Sequence, residues 1–435
     1  MGRTALSAGV SIALLASQAL ACDSSSGENL FRRGDFEGAA ASFQAALTAD
    51  SRCARAYWGL GRTELVQFHR KTARYLFARA YGLNPRDPDI ILSYLEFVTE
   101  PESRSTLLRN VVLLTQRSDP RRAQEALGVL EFETRTRGVA LGRLVSPYRA
   151  YAIPLSWFQP ADPRPVGLLL PVVINKGKAL RLLLDTGARG ITIGSKAARS
   201  LDLHPLAEAG IGGLGSAGPV NATVTVAKSV AVGDLRLENC VVEVTRDALT
   251  EGADGVIGMN VFEAFRIRLN ARNRTLELMP FADQTPAVEY VANPWMDYDR
   301  SAALAAASGA PAYRAGHFLL VRTKVYEREG LFLVDTGSAV TSLSRDFAPV
   351  SAQRDGTRSL RGAAGAVPDA IRISPVTLEI AGRTFVDRET VSMDLAEISQ
   401  RQGVRISGIL GYPAMSRAPV TFNYRDGLVD LGEPH

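Results

Sequence analysis

The sequence contains the heptapeptide LLLDTGA at residues 182–188 and a related heptapeptide, FLVDTGS, at residues 332–338. Each is an apolar run that ends in Asp-Thr-Gly, and the two aspartates, Asp185 and Asp335, are 150 residues apart. An Asp-Thr-Gly is expected by chance roughly 0.05 times in a chain of this length, so one copy would be a weak signal. Two copies behind matching apolar runs indicate an internal duplication.

The duplication extends to both sides of the two aspartates. A β-hairpin is predicted before each of them, over residues 168–184 in the first copy and 318–334 in the second. Glycines follow each aspartate after 27 and 30 residues, and each copy ends in an apolar-apolar-Gly segment and a last strand pair. Short apolar runs separated by Gly, Asn and Asp therefore predict that the C-terminal two-thirds is mostly β.

Paired carboxylates give the duplication a chemical meaning. Two carboxyl groups held about 3 Å apart cannot both ionise, so they share one proton over a broad pH range. One group then removes a proton from a bound water while the other donates a proton to the carbonyl oxygen of a substrate. The glycine after each Asp-Thr permits a tight turn, and each Thr hydroxyl can donate to the backbone of the opposite loop. We therefore expect Asp185 and Asp335 to act as one unit.

The paired motifs resemble the pepsin and retropepsin superfamily of aspartic proteases over roughly residues 165–432. The resemblance implies a bilobal β fold in which Asp185 and Asp335 are the catalytic dyad and Thr186 and Thr336 interlock. Each aspartate turn would be cradled by a downstream strand, and the residues of the turns and strands are Gly187, Ala188, Gly337, Ser338, Val256, Ile257, Gly258, Ile409, Leu410 and Gly411. The glycine-rich segments that would form flaps over the substrate include Gly212, Gly213, Gly215, Gly362 and Gly365. No cofactor and no metal ion are expected.

The chain also departs from the pepsins. Each lobe is shorter, no Tyr lies between Ala188 and Gly218, where the pepsins have a flap Tyr, and Ala188 replaces their usual Ser, as in the retroviral enzymes. The chain therefore resembles a tandem retropepsin more closely than a pepsin. Ser338 is expected to donate a hydroxyl hydrogen bond to the other aspartate, which Ala188 cannot do, and this predicts a higher pKa on the Asp185 side. The two lobes can pair within one chain or with those of a second chain.

The first third of the sequence has a 34-residue period. Two sets of residues repeat at this spacing: Ala39, Phe43 and Ala46 recur as Ala73, Phe77 and Ala80, and Gly27 recurs as Gly61. Offsets of four and seven place each trio on one face of a helix. The period resembles the tetratricopeptide repeat, which implies a binding surface for a protein partner rather than a catalytic site. A helical bundle with coincidental spacing is the alternative.

The N-terminus predicts export. Arg3 precedes an uncharged stretch, residues 4–21, which ends in Ala-Leu-Ala, the small-x-small pattern of a signal-peptidase site. Cys22 follows directly, as in bacterial lipoproteins, whose cysteine is acylated and attaches the protein to a membrane. We therefore expect a protein that is periplasmic or lipid-anchored at the cell envelope, with Cys22 as the lipidation candidate. A buried first helix is the alternative.

Composition narrows the classes of function. The 435 residues are 46% hydrophobic and 22% charged with a net charge of +5, ordinary values for a globular protein. The sequence has no concentrated basic face of the kind that would predict binding of nucleic acid. Three cysteines and four scattered histidines show no spacing for a zinc site or a disulfide framework.

We predict a multidomain chain, an N-terminal all-α helical repeat followed by an all-β bilobal aspartic-protease fold. The expected segments are a signal peptide at 1–22, helical repeats at 23–140, a linker at 141–164, lobe 1 at 165–283, an inter-lobe linker at 284–315 and lobe 2 at 316–432. Because the Pro-rich residues 147–165 separate two periodicities, each region is expected to fold alone. The predicted function is an aspartic endopeptidase that recruits a protein substrate through the repeats. A silent peptide-binding adaptor and a structural envelope lipoprotein are the alternatives.

Overall fold

The structure, a computed structural model, describes residues 22–160, 164–213, 220–247, 249–282, 295, 297–300, 309–348, 354–357, 360–362, 365–373 and 375–433. The predicted signal segment 1–21, Gly215 and most of residues 284–308 lie outside the described residues. Within the described parts of the chain, no helix is long and apolar enough to cross a lipid bilayer.

The N-terminal region is built from helices, several of which begin at an acidic capping side chain. They are α1 (Ser25–Arg32), α2 (Phe36–Ala49), α3 (Ala54–Val66), α4 (Arg70–Leu83), α5 (Pro88–Leu95), α6 (Pro101–Thr115) and α7 (Pro120–Arg135). The carboxylates of Asp35, Asp87 and Asp119 accept backbone N–H groups at the starts of α2, α5 and α7. A proline at the first position of α5, α6 and α7 fixes the backbone for helix entry.

The 34-residue period has a structural counterpart in this region. The ring of Phe43 packs against Gly27, and the ring of Phe77 packs against Gly61, so neither glycine has room for a Cβ atom. Both rings are fully buried. Small residues thus let successive helices approach closely at the same place in two units.

The first β lobe follows the helices. Its elements are β1 (Arg143–Leu144), β2 (Tyr151–Pro154), β3 (Ser156–Phe158), β4 (Gly167–Ile174), β5 (Leu180–Asp185), β6 (Ile191–Gly194), α8 (Ser195–Ser200), β7 (Ala207–Ile211), β8 (Val220–Val232), β9 (Leu235–Thr245), β10 (Gly255–Gly258), β11 (Arg266–Asn270) and β12 (Thr275–Met279). A 3-10 turn at Met259–Phe262 follows β10. One sheet has the order β1-β9-β6-β10-β5-β4-β8-β7, with β3 on β4.

The second lobe repeats this plan. Its elements are β13 (Ala310–Ala315), β14 (Phe318–Val325), β15 (Arg328–Val334), β16 (Ser342–Ser344), β17 (Arg354–Thr357), β18 (Leu360–Gly362), β19 (Gly365–Val367), β20 (Ile371–Ile373), β21 (Val376–Ile380), β22 (Arg383–Asp387), β23 (Val391–Met393), α9 (Ala396–Gln402), β24 (Gly408–Leu410), α10 (Tyr412–Met415), β25 (Val420–Asn423) and β26 (Leu428–Leu431). Its sheet has the order β17-β20-β23-β16-β24-β15-β14-β13-β26-β25-β11-β12-β2 and therefore includes strands of the first lobe.

The two lobes are joined by their last strand pairs. Strand β11 pairs antiparallel with β25, and Ile267 lies opposite Phe422. Both side chains are fully buried in one apolar core that extends through both lobes. The predicted fold class, helices followed by a bilobal all-β region, is confirmed.

Residues 141–164 differ from the predicted linker because they form β1, β2 and β3. Strand β2 pairs with β12 and buries Tyr151 and Ile153, while β3 pairs with β4. Pro154 ends β2 and Pro160 follows β3, so these prolines mark strand ends rather than a flexible coil.

The helical region packs directly on the second lobe, which argues against two regions that fold alone. Phe36 is 1% exposed, and its ring centroid is 4.9 Å from that of Tyr313 on β13. Gly34, with φ of +79°, forms the turn between α1 and α2 and lies against Leu331 of β15. Its carbonyl accepts a 3.1 Å hydrogen bond from Nη2 of Arg322. Helices and lobe therefore share one core, which supports the strand that carries Asp335.

Cys22 forms a disulfide with Cys53, with 5.5 Å between their Cα atoms. The sequence did not predict this pairing, because it depends on the tertiary arrangement that brings the starts of α1 and α3 together. A sulfur atom in a disulfide cannot also be acylated. Lipid attachment through Cys22 therefore stays a prediction that requires the reduced chain.

Candidate active site

Two equivalent strands carry the aspartates to the middle of the molecule. Strand β5 runs parallel to β10 and ends with Asp185 beside Gly258, and β15 runs parallel to β24 with Val334 beside Leu410. The backbone N–H of Asp335 donates to the carbonyl of Leu410 at 3.0 Å. The apolar runs before both aspartates are buried because neighbours cover both faces of these central strands.

The glycines that end β10 and β24 allow the loops to return over them. The N–H of Gly258 donates to the carbonyl of Gly190 at 2.7 Å. A Cβ atom on Gly258 would collide with the carbonyl of Ala188, and one on Gly411 would collide with that of Val340. The predicted cradle residues Val256, Ile257, Gly258, Ile409, Leu410 and Gly411 therefore all lie beside the two aspartate loops.

The two loops are interlocked by their threonines. Thr186 Oγ1 donates to the carbonyl of Val334 at 2.7 Å and accepts the N–H of Thr336 at 2.9 Å. Thr336 Oγ1 donates to the carbonyl of Leu184 at 2.9 Å and accepts the N–H of Thr186 at 3.1 Å. Both threonines are 2% exposed, so these four bonds are shielded from water. The lobes therefore pair within one chain.

Each carboxyl group lies against the glycine of the opposite loop. Asp185 Oδ1 accepts the N–H of Gly187 at 2.7 Å, and Asp335 Oδ1 accepts those of Gly337 and Ser338 at 3.0 and 3.1 Å. A Cβ atom on Gly187 would be 2.9 Å from Cγ of Asp335, and one on Gly337 would collide with the carboxyl of Asp185. The two carboxyl groups therefore lie between the two loops and interact electrostatically with each other.

Burial raises the pKa of both aspartates, and the pKa of Asp335 lies well above its ordinary range. Removal from water is the main cause, and the neighbouring charge of Asp185 adds to it at Asp335. The hydroxyl of Ser338 donates to the carbonyl of Val340 at 2.9 Å instead of to an aspartate, so the hydrogen bond expected from Ser338 is wrong. The higher pKa expected on the Asp185 side stays a prediction, because the proton belongs to the pair of carboxyl groups.

His317 is a neighbour of this site that the sequence did not indicate. It lies in the turn between β13 and β14, and its Nε2 is 3.2 Å from the carbonyl oxygen of Gly187. Because a carbonyl oxygen only accepts, Nε2 carries the proton. Burial lowers the pKa of His317 to about 4, so the imidazole stays neutral at mildly acidic pH. Neither His317 nor any other His, Cys, Asp or Glu in the described parts belongs to a cluster that could hold a metal ion.

The glycine-rich segments have different surroundings in the two lobes. In lobe 1, the end of the β7–β8 hairpin reaches lobe 2, where the carbonyl of Gly213 accepts a 2.9 Å bond from Nη2 of Arg401 on α9. Gly212 lies against the same guanidinium group. In lobe 2, Gly362 and Gly365 face each other in the separate β18–β19 hairpin. Arg401 was not a candidate from the sequence, because nothing local connects it to a hairpin 188 residues away.

Comparison with known proteins agrees with this geometry. Residues 170–261, which include the first Asp-Thr-Gly, match the family model described as Aspartyl protease. No curated protein matches the chain. The solved structures that match include the aspartic proteinase from Irpex lacteus, which is 13% identical, with a TM-score of 0.43 and coverage of 66% of this chain and 97% of that one. Residues 170–261 are thus similar in sequence to the aspartyl proteases.

Proposed function

We propose that the chain is an aspartic endopeptidase with Asp185 and Asp335 as its catalytic dyad. The observation that carries the proposal is the position of each carboxyl group against the glycine of the opposite Asp-Thr-Gly loop. Threonine hydrogen bonds hold the two loops in register, and burial favours retention of a proton on the pair. The match to the aspartyl protease family supports the same class of reaction.

In the proposed reaction, a water molecule bound between the carboxyl groups attacks the carbonyl carbon of a peptide bond. The ionised carboxyl accepts a proton from the water, and the protonated one donates its proton to the carbonyl oxygen. The carboxyl that took the proton from water then passes it to the amide nitrogen, and the C–N bond of the tetrahedral intermediate breaks. The other carboxyl takes a proton from a hydroxyl of the intermediate as the new carboxyl group forms, which restores the starting state of the pair. Because the proton belongs to the pair, activity should have a bell-shaped pH profile with an optimum at mildly acidic pH.

The helical repeats are proposed to recruit the protein substrate. Support comes from the 34-residue recurrence of the Gly-Phe contact and from exposed apolar side chains, such as Leu113 on α6, which is 65% exposed. Export to the periplasm or the cell envelope is also proposed. A Cys22–Cys53 disulfide agrees with an oxidising compartment.

The test is hydrolysis of casein and of a peptide library by the full chain and by Asp185→Asn and Asp335→Asn. Each single substitution should lower kcat/KM by at least about 1000-fold, because the two carboxyl groups act as one unit. Asp202→Asn is the matched control, since Asp202 is exposed and pairs with His204 away from the dyad. Near-wild-type turnover in either dyad variant would refute the proposal, and peptide binding without hydrolysis by the unmodified chain would indicate a silent binder.

A further inference from the structure

A pocket of about 280 Å³ lies between the helical region and the second lobe. Helices α1, α3, α4 and α5 form one wall, with Trp58 and Phe77 among its apolar side chains. The turn between β13 and β14, which includes Gly316, and the segment after α9 form the other wall. Neither the helical region nor the second lobe encloses this pocket alone.

Three of the four charged side chains that line the pocket already have ionic partners. Arg62 pairs with Glu28 at 3.1 Å, and its guanidinium lies over the rings of Phe31 and Trp58. Asp89 pairs with Arg55 and Arg122, and Arg314 pairs with the buried Glu263 at 3.1 Å. These pairs neutralise most of the charge of the pocket wall.

The fourth charged side chain is that of Glu96, which follows the last residue of α5. It is exposed to solvent in the pocket, and no ion pair joins it to a residue in the described parts of the chain. The charges of Arg314 and Arg189 act on Glu96 without forming an ion pair with it. A cation that enters the pocket would therefore meet a carboxylate that no cation in the described residues has already paired.

The pocket is continuous with the dyad along the chain. Gly316 lines the pocket, and the next residue, His317, donates to the carbonyl of Gly187, the glycine that lies against the carboxyl of Asp335. On the lobe 1 side, Arg189 lies two residues beyond Gly187 and interacts electrostatically with Glu96. The pocket wall is therefore connected to the Asp185 loop through His317 and Arg189.

We infer that this pocket is a subsite of the substrate cleft in which Glu96 selects a lysine or arginine side chain of the polypeptide substrate. The inference rests on the proposed function, because it requires a polypeptide substrate that lies in the cleft beside the dyad. It gives the helical region a direct part in specificity: α5 supplies the carboxylate, and the apolar wall contacts the methylene groups of the basic side chain.

The experiment selects a random heptapeptide library for binding to the full chain that carries Asp335→Asn, with and without Glu96→Gln. Lysine or arginine should be enriched at one position about 10-fold over glutamine when Glu96 is present, and Glu96→Gln should abolish the enrichment. Glu96→Arg should enrich aspartate or glutamate at the same position. Glu37→Gln, which changes an exposed glutamate on α2, is the matched control and should leave the enrichment unchanged.

A parallel cleavage assay uses the selected sequences and the chain with an intact dyad. Glu96→Gln should lower kcat/KM for the lysine peptide about 10-fold and leave that for its glutamine analogue unchanged. Equal enrichment with and without Glu96, or an equal loss for both peptides, overturns the inference. Enrichment that depends on Glu96 without any cleavage supports the subsite and refutes the proposed function, so the two failures are distinguishable.

Discussion

At the scale of single residues, the two aspartates are held where their charges are costly. The carboxyl groups sit between two loops that donate backbone N–H bonds but supply no cation to either group in the described residues. This environment keeps one proton on the pair, because ionisation of both groups would place two negative charges in contact. The same arrangement links the chemistry to stability, since a group with a raised pKa destabilises the fold once it ionises.

Replacement of Asp335 by Asn should therefore stabilise the protein at neutral pH. A carboxyl with a raised pKa contributes its full stability below the ordinary pKa of about 4 and loses it as the pH rises through the raised value. Asn cannot ionise, so the melting temperature of Asp335→Asn should match that of the unmodified chain near pH 3 and exceed it at pH 8. Because the entropy of unfolding grows with chain length, each kcal/mol of relief corresponds to about 1 °C when the whole chain unfolds in one transition.

The measurement is calorimetric Tm from pH 3 to pH 8 for the unmodified chain, Asp335→Asn and the exposed control Asp202→Asn. The difference in Tm between Asp202→Asn and the unmodified chain should not increase with pH. A variant that is less stable than the unmodified chain at pH 8 would mean that the ionised Asp335 stabilises the fold, contrary to its surroundings.

At the scale of secondary-structure elements, the sequence predicts best what repeats locally. Apolar runs ending in Asp-Thr-Gly predicted the ends of β5 and β15, and the Gly after each later apolar pair predicted the place of β10 and β24 beside them. Contacts between elements far apart in the chain could not be predicted where no repeated motif marks them. Arg401 on Gly213, His317 on Gly187 and Gly128 of α7 against the carbonyl of Glu208 depend on how lobes and helices dock.

The Arg401 contact predicts how the β7–β8 hairpin is held. Arg401→Ala removes a donor from lobe 2 to the carbonyl of Gly213, and a hydrogen bond to a charged group contributes about 1.5–3 kcal/mol. Amide hydrogen exchange in residues 207–213 should therefore accelerate about 10-fold or more, and KM for a peptide should rise. Exchange is measured by mass spectrometry.

The matched control for this prediction is Arg199→Ala on α8. In the described residues, the side chain of Arg199 hydrogen-bonds Ser195 on the same helix and makes no hydrogen bond to the hairpin. If exchange in residues 207–213 is the same in Arg401→Ala as in the unmodified chain, the Arg401 contact does not hold the hairpin.

At the scale of the whole molecule, the helical region is a structural part of the second lobe. The change in the spacing of apolar residues near residue 147 located the border between helices and strands. Such spacing indicates the type of each element but not how the elements pack against one another. It gave no indication that the apolar residues around the α1–α2 turn face Leu320, Leu331 and Leu333 of the lobe. Polar contacts reinforce the junction: the buried Arg70 donates to the carbonyl of Tyr424, and Asp299 accepts N–H groups at the start of α4.

Because of this shared core, the helical region and the lobes should unfold in one transition. Phe36→Ala opens a cavity where α2 meets Tyr313 and should destabilise the whole chain by about 3–5 kcal/mol. Tyr75→Ala, at a position that is 62% exposed on α4, is the aromatic control and should stay within about 0.5 kcal/mol. Urea unfolding followed by far-UV circular dichroism and by tryptophan fluorescence, to which Trp58 of α3 contributes, should give coincident curves for all three chains. Two separate transitions, with Phe36→Ala shifting only the helical one while the lobes keep peptide cleavage, would show that the repeats fold as an independent module.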